Sequence, residues 1–241
     1  MKEGANDYLE VEDLHVHFKE ICAIRDVSFR IAAGQSVAIV GRNGAGKSTL
    51  LRSLAGLMPN AAGKIVWNGS SITKLNRRKL VAYLPQREEI DWSFPITVQG
   101  LVDMGLYPLV GNWARFRNEH REAAAAAIAR MGLQGLEKRR IGELSGGQQQ
   151  RAFLARAIAG GARILLFDEP FAGLDANAMD TLSGLIQNLV DGGALVLASH
   201  HDLSSIPKIF DHTLLLKTVQ LAFGPTAEVL TPEGIQRAFG L

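Results

Sequence analysis

The chain has 241 residues, 47% of them hydrophobic, and its 26 Lys and Arg against 24 Asp and Glu leave a formal charge of +2. That length supports one large domain or two modest ones with a proper core, and the near-neutral balance excludes the whole-chain basic field of a nucleic-acid binder. Cys22 is the single cysteine, which excludes an internal disulfide framework or a cysteine-based metal site and suits a reducing compartment.

The polar, acidic stretch 1–12 does not read as a signal peptide. Leu14, Val16 and Phe18 alternate with His15 and His17, which predicts a half-buried strand. The His-x-His pair has the spacing of a metal ligand set, but the exposed face of such a strand accounts for it without a metal. Residues 27–31 alternate in the same way, and 36–40 form a short apolar run that feeds a glycine-rich segment. A helix is expected over 47–55, closed near Gly56 and Pro59. A strand over 63–67 leads into the Asn68-Gly69 turn, and another strand spans 80–84. From 87 to 160 no strand pattern occurs. Helices are expected over 97–105, over 118–131 with its alanine run, and after Ser145 as N-cap. Apolar strands return at 164–167, 194–199 and 213–216, separated by helical segments, and this rhythm predicts a buried parallel sheet. No apolar run approaches the ~18 residues of a membrane span. If the protein works at a membrane, another polypeptide does the crossing. The short basic clusters 77–79 and 138–140 read as solvated faces, with lipid head groups as the other reading.

Three segments carry chemistry. Gly41-Arg42-Asn43-Gly44-Ala45-Gly46-Lys47-Ser48-Thr49 fits G-x-x-x-x-G-K-[ST] between an apolar strand and a helix, the context of a phosphate-binding loop. Its glycines let backbone N–H groups converge on phosphate oxygens, and the helix N-terminus adds positive potential. Lys47 is expected to reach the β- and γ-phosphates of ATP and Ser48 to ligate Mg2+. The apolar run 164–167 ends in Asp168 and Glu169, at the strand end where ligands sit in open α/β sheets. Asp168 is placed to hold Mg2+ through water and Glu169 to polarise the attacking water. Leu144-Ser145-Gly146-Gly147-Gln148 starts a helix with serine and glycines, an anion-receptive terminus.

The combination of the phosphate loop with Leu144-Ser145-Gly146-Gly147-Gln148 resembles the ATP-binding cassette (ABC) ATPases, and the resemblance runs over nearly the whole chain. It implies a P-loop NTPase fold: a RecA-like parallel core with an antiparallel β subdomain over 1–87 and 161–241, and a helical subdomain inserted at 88–160, all within one domain. It further implies that Ser145, Gly147 and Gln148 cap an ATP held by another subunit, and hence a homodimer. Gln86 matches the glutamine that touches Mg2+ and the attacking water. Residues 172–175 resemble the loop that crosses the dimer interface. His201, directly before Asp202, matches the histidine that reads the γ-phosphate, which leaves His200 with a structural role. Phe18 takes the place of the aromatic that stacks on adenine, with a core phenylalanine as the alternative.

With one motif set and no fused membrane span, the chain resembles the separate ATPase subunit of an importer. Such a subunit sits peripherally on the cytoplasmic face of the inner membrane, against membrane-spanning permease subunits and, indirectly, a substrate-binding protein. Residues 87–98 and 104–107, with the tail from His201 to Glu233, are similar to the ATPases of manganese, zinc and iron importers. Siderophore and cobalamin importers are the runner-up. A soluble ATP-gated clamp on nucleic acid or ribosomes is a third reading, but no nucleic-acid partner is expected. Trp92, Phe94, Pro95, Tyr107, Pro108 and Trp113 crowd the start of the helical insert, either as its own core or as a permease-docking groove.

Overall fold

The computed structural model describes residues 7–110 and 116–240. In chain order its strands are β1 (Tyr8–Phe18), β2 (Ile21–Ala32), β3 (Ser36–Val40), β4 (Ala61–Trp67), β5 (Ser70–Ser71), β6 (Val81–Leu84), β7 (Ile164–Phe167), β8 (Leu195–Ser199), β9 (His212–Lys217) and β10 (Val219–Pro225). The helices are α1 (Lys47–Leu54), α2 (Lys74–Leu80), α3 (Val98–Met104), α4 (Tyr107–Val110), α5 (Asn118–Arg130), α6 (Gly146–Ala159), α7 (Ala176–Asp191), α8 (Ile206–Ile209), α9 (Thr226–Val229) and α10 (Pro232–Phe239).

The strands join in the order β5-β4-β1-β2-β10-β9-β3-β8-β7-β6. From β9 to β6 every pairing is parallel. The pairs β1–β2, β1–β4, β4–β5 and β9–β10 are antiparallel. This is the expected α/β core with its antiparallel β subdomain. Every residue of β3, β7 and β8 is buried, because both faces of the parallel sheet are covered. Val37, Ile39, Leu166 and Leu197 pack with Leu50, Leu51 and Leu54 of α1 on one face. Ala38, Val40, Phe167 and Ala198 join the core that continues into α3, α5 and α6 on the other.

No named strand lies between β6 and β7 among the described residues; Thr97 and Arg140 make one isolated bridge. Helices α3, α5 and α6 pack on one another there. The alanine run lets α5 come close, burying Ala124, Ala127 and Ile128. Thr97 caps α3 by accepting the Gly100 N–H at 3.1 Å.

Three expectations change. Phe18 does not continue the buried face of Leu14 and Val16: it ends β1 with 46% of its surface exposed, which removes the core alternative. Arg77 is not a solvated cluster residue but half-buried, donating to the Ile72 carbonyl at 3.0 Å, whereas Arg78 and Lys79 are exposed. The aromatic group divides. Trp92 turns inward, edge-on to Phe153 at 5.5 Å, with its indole N–H on the Arg87 carbonyl at 3.1 Å. Phe94 and Tyr107 remain exposed. Trp113 lies outside the described residues.

Candidate functional site

Strand register gathers the site. Leu84 pairs with Phe167, and Phe167 with Ala198, so the residues just after β6, β7 and β8 emerge side by side. Ile39 pairs with Ser199, which sets the loop after β3 beside them. Gly41 lies so close to the Leu216 carbonyl that a Cβ has no room there. Gly46 turns into α1 at φ 99°, in the left-handed region that favours glycine.

Residues Asn43, Gly44, Gly46, Lys47, Ser48, Thr49, Gln86 and Glu169 face one cavity of about 470 Å3. The Lys47 ammonium donates to the carbonyls of Gly41 at 2.9 Å and Arg42 at 3.2 Å. Burial lowers its pKa, and the nearby charges of Glu169 and Asp168 oppose that shift. Gln86 Nε2 donates to Ser48 Oγ at 3.1 Å and approaches Asp168 Oδ1 at 3.4 Å. Asp168 is 1% exposed. It accepts from Ser199 Oγ at 2.7 Å and, at 3.3 Å, from Tyr83 OH. Burial pushes the Tyr83 hydroxyl up to about 12, which keeps it a donor. Glu169 sits at φ 50°, a conformation that costs a non-glycine residue about 1–3 kcal/mol. Its N–H donates to the same Ser199 Oγ at 2.7 Å, so one hydroxyl fixes both acidic residues. Ser48 and Asp168 thus present hard oxygen donors, chemistry that fits Mg2+, and Gln86 joins them through its amide N–H. Among the described residues no cluster of three or more His, Cys, Asp or Glu is placed to hold a metal by itself.

Ser145 to Gln148 lie elsewhere. Ser145 Oγ accepts the Gln148 N–H at 3.3 Å, and Gln148 Oε1 accepts the Ser145 N–H at 3.0 Å, a capping box that squares the start of α6. Ser145, Gly146 and Gly147 line a second recess, of about 330 Å3, with Gly173, Leu174 and Asp175. It shares no residue with the cavity at Lys47. Phe18 and His201 are exposed and line neither.

Nothing in the sequence pattern marks Ser199 or Tyr83 for this site. Both sit in strand runs whose pattern reports burial, not which carboxylate a hydroxyl meets. Arg52 extends the network by donating from Nε to Tyr83 OH at 3.3 Å and pairing with Glu89.

His200 is structural: it is 2% exposed, 2.7 Å from Ser205 Oγ and edge-on to Phe171. Burial, aided by His201, depresses its pKa to about 4. The fold therefore holds the neutral ring. Its contribution is complete above the unfolded value near 6.5 and is lost as pH falls toward 4. Between those limits the protein is expected to lose up to about 3 kcal/mol through this group. Denaturant melts at stepped pH should show a shallower acid decline for His200→Gln; parallel curves would remove His200 from this role.

The ABC transporter family profile matches residues 24–172. The manganese transport system ATP-binding protein MntB of Listeria monocytogenes is 41% identical over 232 residues, 96% of each chain. The chelated iron transport system protein YfeB of Yersinia pestis is 41% identical, over 90% of this chain and 74% of its own length. A solved ABC transporter described as of metal-chelate type, in an inward-facing conformation, superposes with a TM-score of 0.85 at 30% identity, covering 98% of this chain and 90% of the other. With a family match over most of its length and relatives this similar across nearly all of it, the chain belongs to the ABC transporter family as one of its ATP-binding, ATP-hydrolysing members.

Proposed function

We propose that this protein is the ATPase subunit of a metal-ion importer, working as a homodimer on membrane-spanning permease subunits. The observation that carries the metal assignment is the 41% identity, over 96% of both chains, to a manganese transport ATP-binding protein. Manganese and iron are the metals named among the relatives, and they stand ahead of zinc, which rests on segment resemblance alone. Among the described residues no helix is long and apolar enough to cross a membrane. Attachment to a permease at the cytoplasmic face of the membrane, and through it to a substrate-binding protein, completes this reading.

In the proposed cycle the amides of 41–49 and Lys47 bind the triphosphate, and Phe18 stacks on adenine. Ser48, Gln86 and Asp168 would hold Mg2+, which would supply positive charge to the triphosphate. Glu169 takes a proton from the attacking water, Gln86 orients that water, and His201 contacts the γ-phosphate. Ser145, Gly147 and Gln148 contact the nucleotide of the other subunit. The separation of the two cavities within one chain supports this arrangement. We take residues 88–160 as the helical subdomain and 1–87 with 161–241 as the nucleotide core.

A cleft of about 450 Å3 at the joint of these parts suits a permease segment. Leu57, Tyr83, Met104, Pro108, Phe153 and Arg156 are among its walls, with Leu57 and Met104 exposed as apolar anchors. Loss of the protein is expected to lower cellular uptake of free manganese or iron, measured as metal content after a pulse of the ion. Unchanged uptake of both, with siderophore or cobalamin uptake lost instead, would move the protein to that runner-up class.

A further inference from the structure

Arg87 follows Gln86 directly, yet its guanidinium does not join the cavity at Lys47. It reaches across to α6. Its Nη2 donates to Gln149 Oε1 at 3.0 Å. Gln149 is itself buried and anchored by its amide on the Ile141 carbonyl at 3.1 Å. Nη1 lies 3.0 Å from where a Cβ on Gly146 would sit, and 3.6 Å from the same point on Gly173. The guanidinium also stands 5.6 Å over the Trp92 ring. No carboxylate pairs with it among the described residues. A half-buried cation is therefore held by an amide, faces an indole ring and lies close to two glycines. Those glycines belong to the two segments that border the recess assigned to the partner's nucleotide.

We propose that Arg87 is a positioning residue for the partner subunit's ATP: it ties the segment carrying Gln86 to the first turn of α6 and places an uncompensated positive charge behind that turn. This rests on the composite-site reading above. Ser145 caps the Gln148 N–H but leaves the Gly146 and Gly147 amides at the helix start, so an anion approaching them meets both the helix terminus and the guanidinium. The planar fork matters because it satisfies Gln149 while still facing the Trp92 ring, which an ammonium cannot do equally well. Because Arg87 is the next residue after Gln86, a shift of Gln86 toward its own nucleotide moves the anchor of the turn that faces the other one. The two ATP sites of a dimer are then mechanically joined through a single side chain.

The test uses the full chain carrying Glu169→Gln, with ATP and Mg2+, and reads dimerisation by sedimentation and nucleotide affinity of the monomer by equilibrium binding. Adding Arg87→Ala is expected to weaken ATP-dependent dimerisation at least ~10-fold while leaving monomer affinity within about twofold, since the residue acts on the other chain's nucleotide. Arg87→Gln, close in length but neutral, is expected to lose nearly as much, and Arg87→Lys to recover part of it. Added salt should weaken the arginine protein more than the glutamine variant. Dimerisation of Arg87→Gln equal to the parent overturns the proposal, and so does an equal loss of monomer affinity. If Arg87→Ala melts early, Arg87→Gln at parent stability decides. Failure of the Glu169→Gln parent to dimerise at all would instead reject the composite site on which the proposal stands.

Discussion

Glu169→Gln is expected to bind ATP and to hydrolyse it ~10²–10⁴-fold more slowly, the span that loss of a general base produces. That corresponds to about 3–5 kcal/mol of barrier. The replacement keeps the shape of the side chain and removes only its capacity to take a proton. Glu169 faces the same cavity as Lys47 and Ser48, and its backbone is held at φ 50° by the bond to Ser199. Its direction is therefore set before any nucleotide arrives. Lys47→Ala should behave differently. It deletes the buried cation that bonds to Gly41 and Arg42 across the loop, and so weakens nucleotide binding itself. Phosphate release measured beside equilibrium ATP binding separates the two phenotypes. Near-normal turnover in Glu169→Gln would remove Glu169 from its assigned role.

The elements that make this site were legible because each has a strong local cause. The loop from Gly41 to Thr49 needs glycine at a close approach and at a positive φ, and sequence records both. Ser145 announces its helix because a capping box is a local device. The parallel strands show as apolar runs because both faces are covered. What stayed hidden depends on register and direction. Strand β10 lies beside β9 with all but its last residue half-buried, so neither an apolar run nor a clear alternation marks it. Tyr83 and Ser199 converge on Asp168 only because β6, β7 and β8 pair in one particular alignment. Composition could not show that Trp92 turns in while Phe94 turns out, since either direction suits an aromatic residue at a subdomain edge. Phe18 deceived the alternation rule because β1 ends there and the chain turns into β2.

Glu169→Gln with ATP is expected to shift toward dimer in sedimentation, and a second change, Ser145→Arg, to abolish that shift. The first variant holds ATP without consuming it, so the closed state accumulates. The second acts on a surface that the nucleotide of the same chain does not touch. Ser145 lines a recess with Gly147, Gly173 and Asp175 that has no residue in common with the cavity at Lys47. The same-chain ATP affinity should therefore survive. A long arginine side chain fills the recess and keeps the partner's triphosphate from the first turn of α6. It also removes the hydroxyl that accepts the Gln148 N–H, a cap loss on the order of 1 kcal/mol. That cost frays one helix start and is too small to unfold a domain of ordinary stability. Retained monomer ATP binding, with a melting curve close to the parent, establishes that the fold is intact. A double variant that still dimerises with ATP would sink the composite site, because there Ser145 faces the other subunit's nucleotide and an arginine adds bulk and charge at that contact.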